Sequence, residues 1–220
     1  MSIRSFLAVI PALLAVASWA DARPKPPFPD PAIDIPASAS QGAQTVVLAG
    51  GCFWGMEGVF ERLKGVSEVV SGFAGGAAKT AHYDMVSEGN TGHAESVKIT
   101  FDPAQITFGQ LLKVYFSVAH DPTELNRQGP DVGTQYRSAI FYMNDDQKRV
   151  AEAYIQQLDQ AHVFSHRIVT QVVPYHGFYA AEKYHQHYLD HNMTQPYIVY
   201  NDLPKLAALK KQYPELCKRR

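Results

Sequence analysis

The stretch TVVLAGGCFWGMEGVFERLKGVSEVVSGF, residues 45–73, contains the pattern that decides the fold. Residues 45–49 are β-branched and apolar, which predicts a buried strand that ends at two glycines. Residues 55–64 then place apolar side chains at helical spacing, and residues 66–73 return to a strand pattern. A strand, a helix and a strand in close succession predict a sheet with a helix packed on it.

The same alternation continues through the rest of the chain. It predicts strands over residues 94–101, 136–143 and 169–173, and helices over residues 108–119, 144–158, 180–191 and 203–213. The helix at Asn144 is predicted to begin by side-chain capping. Strands and helices in this order indicate a two-layer α+β domain. The pattern does not determine the order of the strands within the sheet.

Composition and charge narrow the class of protein. The 220 residues are 46% hydrophobic and 19% charged, which is ordinary for a folded domain. The net charge of −1 gives no reason to expect nucleic acid or an anionic membrane as a partner.

Residues 1–22 have the features of a secretory signal peptide. Arg4 supplies a positive charge, and residues 6–17 are apolar but too short to span a bilayer. We predict cleavage after Ala20 or Ala22, giving a periplasmic protein without stable membrane association. The alternative, a buried N-terminal helix, lacks amphipathic spacing.

Residues 23–43 contain six prolines, which remove backbone donors and fix φ. This composition predicts an extended linker. One globular domain is expected to follow over residues 44–220.

Cys52 lies in the motif GCFWG, residues 51–55, between a predicted strand and a predicted helix. A thiol at a helix start faces unpaired amides and the positive end of the helix dipole, and both favour the reactive thiolate. The flanking glycines allow a tight turn that exposes the sulfur. We therefore predict Cys52 to be a nucleophile, with the apolar rings of Phe53 and Trp54 beside it.

An apolar site beside a thiolate suits a small methyl-bearing group such as that of methionine sulfoxide. Attack on the sulfoxide sulfur needs an acid for the departing oxygen and donors that hold it. Candidates lie in polar, glycine-rich segments at strand ends, where sites are commonly built: Tyr83, Glu95, Asp131 and Tyr136.

Several motifs, in one order along residues 45–202, resemble those of the methionine sulfoxide reductase A family, the peptide-methionine (S)-S-oxide reductases. They are GCFWG (51–55), GHAE (92–95), DPT (121–123), NRQGPD (126–131), GTQYRS (133–138) and EKYHQ (182–186). The resemblance implies an α/β two-layer sandwich around a mixed sheet, related to ferredoxin-like folds. It also implies repair of oxidised proteins by reduction of the S epimer of free or peptide-bound methionine sulfoxide, without metal or flavin.

The resemblance further implies a role for each candidate residue. A carboxylic acid can donate a proton at neutral pH only if burial raises its pKa, so we expect Glu95 to be desolvated. The implied roles are nucleophile for Cys52, proton donor for Glu95, hydrogen bonds to the sulfoxide oxygen for Tyr83 and Tyr136, methyl binding for Phe53 and Trp54, and ordering of the site for Asp131.

Reduction leaves Cys52 as a sulfenic acid that a second thiol must resolve. Many family members carry a glycine-rich tail with resolving cysteines, whereas this chain has YIVYNDLPK, residues 197–205, which resembles a branch that often lacks that tail. Cys217 is the one further cysteine and is a candidate resolver. The alternatives are an external thiol, such as a thioredoxin-like protein, and a static disulfide. We expect a monomer.

Two rival functions follow from the nine histidines. In a Cys-His hydrolase, a histidine would act as base for the cysteine. In a metal-binding module, His187 and His191 would lie on one helical face with His185 nearby. We interpret these three as surface or packing residues and predict no metal site.

Overall fold

The computed structural model of the protein describes residues 27–36 and 42–219, so the predicted signal peptide lies outside the described residues. The strands are β1 (Gln44–Ala49), β2 (Val66–Ala74), β3 (Ala94–Phe101), β4 (Arg127–Gln128), β5 (Asp131–Val132), β6 (Ala139–Tyr142), β7 (Gln171–Pro174) and β8 (Phe178–Ala180). The α-helices are α1 (Phe53–Phe60), α2 (Tyr83–Ser87), α3 (Phe108–Val114), α4 (Asp145–Gln160), α5 (Tyr188–His191) and α6 (Leu203–Gln212).

A six-stranded sheet in the order β7-β6-β1-β3-β2-β8 forms the centre of the domain. Its pairs are antiparallel except for β6 with β7, which are parallel, so the sheet is mixed. The central strands β6-β1-β3-β2, connected through α1 and α3, form the β-α-β-β-α-β arrangement of ferredoxin-like folds. The predicted two-layer α/β sandwich is therefore confirmed.

Alternation along β1 separates the two faces of the sheet. Val46 and Leu48 belong to the main core, which also contains the apolar faces of α1, α3 and α4. Val47 and Ala49 belong to a smaller cluster on the opposite face. This division places α1, and with it the motif at residues 51–55, against the sheet.

The helix predicted over residues 180–191 is wrong. Phe178–Ala180 forms the edge strand β8, a 3-10 turn covers Lys183–His185, and the short helix α5 follows. The side chain of Gln186 accepts a hydrogen bond from the Ser71 amide and donates one to the Ser71 carbonyl. The segment is therefore held along β2 by tertiary hydrogen bonds that no local pattern encodes.

Other boundaries differ by a few residues. The strand predicted over residues 136–143 begins only at Ala139, because Tyr136 ends a 3-10 turn. The strand predicted over residues 169–173 begins only at Gln171 and runs through Pro174, which an edge strand tolerates since its outer side needs no donor.

Within the predicted linker the structure describes residues 27–36 and 42–43, and residues 27–36 contain no helix or strand and contact the domain. Phe28 packs against the main core, and the Pro29 carbonyl accepts a hydrogen bond from the Tyr154 hydroxyl at 2.6 Å. Asp34 accepts a hydrogen bond from the Gly109 amide in the first turn of α3. Across the described residues, no helix combines the length and apolar character needed to cross a membrane.

Candidate active site

Cys52 lies in the tight connection between β1 and α1. Gly51 adopts a φ of +89°, and a side chain there would overlap Gln128, so the turn requires glycine. Cys52 is the N-cap residue of α1, and only 8% of it is exposed. The predicted exposure of the sulfur is wrong, because the residue packs into the main apolar core.

Burial also controls the acidity of the thiol. It raises the pKa of Cys52 well above the usual range, and the carboxyl groups of Glu95 and Asp202 raise it further. The Trp54 amide in the first turn of α1 and the Lys205 ammonium act in the opposite direction. The pKa lowering predicted from the helix start is therefore wrong for this state, since desolvation outweighs the amide donor.

Glu95 lies beside this turn because β1 and β3 are antiparallel neighbours. Leu48, near the end of β1, pairs with Val97, near the start of β3. Glu95 Oε2 accepts a hydrogen bond from the Phe53 amide at 3.0 Å, and the residue is 3% exposed. Burial raises the pKa of Glu95 to about 8, against the opposing effect of that amide. The predicted desolvation is confirmed, and the group carries its proton at neutral pH.

Two phenols share this polar pocket. Tyr83 begins α2, and Tyr136 lies in the loop before β6. Burial, and then the charge of Glu95, raises the pKa of Tyr83 to about 12 and raises the pKa of Tyr136 as well. A charge on Cys52 also raises the pKa of both phenols, so both hydroxyl groups lie near the thiol and keep their protons at neutral pH.

Asp131 reaches the same pocket from β5. Its carboxylate accepts a hydrogen bond from the Tyr197 hydroxyl, and its charge acts on Glu95. Burial raises the pKa of Asp131 above its ordinary value. Sequence reasoning missed Tyr197 as a site residue, because nothing in its local pattern indicates that it meets Asp131.

The two aromatic residues after Cys52 are held differently. Phe53 is buried in the core, whereas Trp54 is half-buried. The Trp54 ring stacks on Tyr188 with 3.8 Å between the centroids, and its Nε1 donates a hydrogen bond to His185 Nδ1 at 3.1 Å. These contacts fix the indole as an apolar surface beside the thiol.

Asp202 and Lys205 form an ion pair that sequence reasoning also missed. Lys205 Nζ lies 3.1 Å from Asp202 Oδ1, and Asp202 is fully buried. A Cβ added at Gly55 would lie 2.1 Å from Asp202 Oδ1, so only glycine lets the pair approach α1 this closely. The spacing of three residues could have suggested the pair, but not its position beside Cys52.

Cys217 lies at the other end of α1. It pairs with Leu63 in an isolated antiparallel bridge, and the Lys218 amide donates a hydrogen bond to the Arg62 carbonyl. The eight residues of α1 extend over roughly 12 Å. Cys217 therefore lies beyond the Cα separation of about 7 Å that a bond to Cys52 allows. Both cysteines are free thiols, so the static disulfide is wrong.

Three histidines of the described residues are held by partners other than Cys52, and His187 is one of them, paired with Glu61. His120 is bonded to the Ser138 hydroxyl and the Tyr115 carbonyl, and His185 accepts from Trp54. Among residues 27–36 and 42–219, no histidine is hydrogen-bonded to Cys52. This arrangement gives no support to a Cys-His hydrolase.

Comparisons with known proteins agree on one family. The family model "Peptide methionine sulfoxide reductase" matches residues 44–216. A relative from Mesorhizobium japonicum, named peptide methionine sulfoxide reductase MsrA 2, is 59% identical over 81% of this chain and 91% of its own length. A protein of the same name from Synechocystis is 50% identical over 87% of this chain and 90% of its own length.

Solved structures give the same result. Methionine sulfoxide reductase A of Corynebacterium diphtheriae superimposes with a TM-score of 0.62 at 34% identity, covering 83% of this chain and 92% of that one. The reduced form of Mxr1 from Saccharomyces cerevisiae gives a TM-score of 0.62 at 34% identity, covering 69% of this chain and 87% of that one.

Proposed function

Because the chain belongs to the peptide methionine sulfoxide reductase family and is an oxidoreductase that reduces methionine sulfoxide, we propose that it acts on the S epimer with Cys52 as nucleophile. The observation that carries this assignment is the position of the Cys52 thiol beside the buried Glu95 carboxyl group, whose pKa burial raises to about 8. A nucleophile and an acid in one desolvated pocket are what sulfoxide reduction requires.

The substrate, Cys52 and Glu95 together supply every proton and electron that the reduction step needs. The Cys52 sulfur attacks the sulfoxide sulfur while Glu95 gives its proton to the oxygen. The hydroxyl group then moves from the methionine sulfur to the Cys52 sulfur, and the bond that the attack formed between the two sulfurs breaks. Methionine leaves with two more electrons, and the thiol proton returns to Glu95. The products are a thioether and a sulfenic acid.

The neighbouring side chains hold the substrate in this geometry. The phenols of Tyr83 and Tyr136 donate to the sulfoxide oxygen, and Asp131 orders the polar side of the pocket through Tyr197. The Trp54 ring, fixed by Tyr188, binds the methyl group. Because Glu95 is protonated when the Cys52 sulfur attacks, no full negative charge on Glu95 opposes that attack.

An external thiol resolves the sulfenic acid. Cys217 is held at the far end of α1, so it could reach Cys52 only after residues 214–219 detach. A thioredoxin-like dithiol forms a mixed disulfide with Cys52, releasing water, and its second thiol then frees Cys52. Electrons come from thiols, so this reaction needs no prosthetic group.

The test is a single turnover without reductant. One equivalent of methionine S-sulfoxide is mixed with wild type, Cys217→Ser and Cys52→Ser, and methionine, free thiols and disulfides are counted by mass. We expect one methionine per chain and a Cys52 sulfenic acid in wild type and Cys217→Ser, and no methionine from Cys52→Ser. Folded wild type that yields no methionine contradicts the assignment, and a Cys52–Cys217 bond in wild type contradicts external resolution.

Export to the periplasm is supported by the charge and apolar stretch within residues 1–22. N-terminal sequencing of the protein from a periplasmic fraction should begin at Asp21 or Arg23. A cytoplasmic chain that begins at Met1 would contradict export.

A further inference from the structure

The motif EKYHQ, residues 182–186, supplies no group to the reaction described above, but two of its side chains hold residues that do. Glu182 Oε1 accepts a hydrogen bond from the Tyr83 amide at 3.0 Å. His185 Nδ1 accepts a hydrogen bond from Trp54 Nε1 at 3.1 Å. The motif therefore lies directly behind the side chains that meet the substrate.

The imidazole ring of His185 is enclosed by other rings. Its centroid lies 4.3 Å from that of Tyr83 and 4.2 Å from that of Tyr184, and only 2% of the residue is exposed. The next residue, Gln186, is tied to the β2 backbone at Ser71 by two hydrogen bonds. These contacts fix the position of the ring relative to the sheet.

The contact with Trp54 decides which nitrogen of His185 carries the proton. An indole N–H can only donate, so Nδ1 must be the acceptor and Nε2 must carry the hydrogen. Nε2 and Glu182 Oε2 are both buried, and neither has a hydrogen-bond partner among the described residues. The charge of Glu182 acts on the imidazole, so this donor and this acceptor are close to each other. One water molecule between them would satisfy both atoms.

A second proton on His185 would break the contact with Trp54, because an imidazolium ring donates from both nitrogens. Burial lowers the pKa of His185, and the charge of Glu182 opposes that effect. The ring is therefore neutral at neutral pH and gains a proton only as the pH falls below about 6.5. Burial raises the pKa of Tyr83 and of Tyr184, the two phenols against the ring, so both stay neutral in this range.

We propose that His185, oriented by Glu182, is a positioning residue that holds the Trp54 indole in place for the methyl group of the substrate. Because Glu182 also binds the Tyr83 amide, the same pair sets the apolar and the polar side of the pocket. The neutral imidazole keeps the indole fixed, and the charged imidazole releases it. This role rests on the methyl-binding function proposed above for Trp54.

The first test follows the fluorescence of Trp54 against pH in the full chain without substrate. The chain has two tryptophans, so Trp19→Phe leaves Trp54 as the only one. We expect one inflection in the emission below pH about 6.5, where the bond to His185 breaks. His185→Asn should abolish this inflection, and Glu182→Gln should move it to lower pH, since the carboxylate charge favours the protonated ring. His176→Asn, an exposed histidine elsewhere, should leave it unchanged.

The second test is the KM for methionine S-sulfoxide. In His185→Leu the Trp54 N–H loses its acceptor and the indole can turn away, so KM should be about 10-fold higher at neutral pH, the usual effect of losing one hydrogen bond. The value of kcat should change less, because Cys52 and Glu95 are untouched. Wild-type KM should also rise as the pH falls below about 6.5, and His185→Asn should lack this rise.

Two results would overturn the positioning role: an inflection in Trp54 fluorescence that persists in His185→Asn, or equal KM values in His185→Leu and wild type. Circular dichroism checks that each variant is folded, and the fluorescence titration of His185→Asn stays decisive if His185→Leu does not fold. The titration uses no substrate, so it can fail while the reductase assignment stands. A protein that shows the expected inflection but forms no methionine would contradict only the proposed function.

Discussion

At the residue scale, two opposing effects decide whether Glu95 carries a proton. Burial raises the pKa of its carboxyl group, and the hydrogen bond from the Phe53 amide lowers it. Replacement by glutamine keeps the size and the contact with the Phe53 amide but removes the transferable proton. We expect Glu95→Gln to slow methionine formation in a single turnover by about 10²- to 10⁴-fold, the usual contribution of a general acid. Rapid-quench measurement of methionine checks this, with the exposed Glu88→Gln as control.

The pH profile separates an acid role from a structural one. Glu95 donates only while protonated, so the wild-type rate should fall as the pH rises through about 8. Glu95→Gln should lack that inflection. An unchanged inflection in this variant would assign the titration to another group.

The Asp202–Lys205 pair allows a test in which two substitutions should shift the pKa of Cys52 in opposite directions. Asp202 raises the pKa of the Cys52 thiol and Lys205 lowers it. In Lys205→Met, alkylation of Cys52 by iodoacetamide should require higher pH than in wild type, and in Asp202→Asn it should proceed at lower pH. Shifts in the same direction for both variants would show that structural disturbance, and not charge, controls the thiol.

At the scale of elements, α1 is the helix on which the site is built. Its start holds Cys52, and its two glycines let other elements come close: Asp202 lies against Gly55, and Leu189 against Gly58. This explains why a short helix carries two residues of poor helix propensity.

We expect Gly55→Ala to destabilise the protein by about 1–3 kcal/mol, the usual effect of overpacking a core. The added methyl meets the buried, ion-paired Asp202 at 2.1 Å. At Gly58 it meets the far end of Leu189 at 2.6 Å, so Gly58→Ala should cost less. Urea unfolding of both variants checks the order, and the reverse order would contradict this view of the contact.

At the scale of the whole molecule, residues 27–36 lie against the helical layer of the domain. Asp34 accepts from the Gly109 amide and from the Thr107 hydroxyl, and Thr107 is itself the N-cap of α3. The Asp30–Lys113 ion pair adds a more exposed contact. The segment thus completes the capping of a core helix from a distance in sequence.

Asp34→Ala should lower the free energy of unfolding by about 1 kcal/mol, as loss of a helix cap does. Asp30→Ala should change it by less, because exposed ion pairs contribute little. Thermal unfolding of both variants is the measurement. Single-turnover activity should be unchanged in both, since neither residue contacts the catalytic pocket, and equal stabilities would contradict the capping role of Asp34.

The sequence by itself determined much of the architecture. Hydrophobic periodicity is a local property, so it predicted β1, β2, β3 and the helix between the first two, and it identified the long helix that begins after Asn144. The motif order identified the family, and the expected burial of Glu95 followed from the chemistry that the family performs.

Only the tertiary structure decided the properties that depend on residues far away in sequence, such as the acidity of a thiol. The thiol of Cys52 is buried and made less acidic by Glu95 and Asp202, although its helix-start position alone predicts the opposite. The chain around Gln186 is held on β2 by hydrogen bonds to Ser71 and does not form the predicted helix. Desolvation and charge act through space, and a local pattern records neither, because the groups that cause them lie far away along the chain.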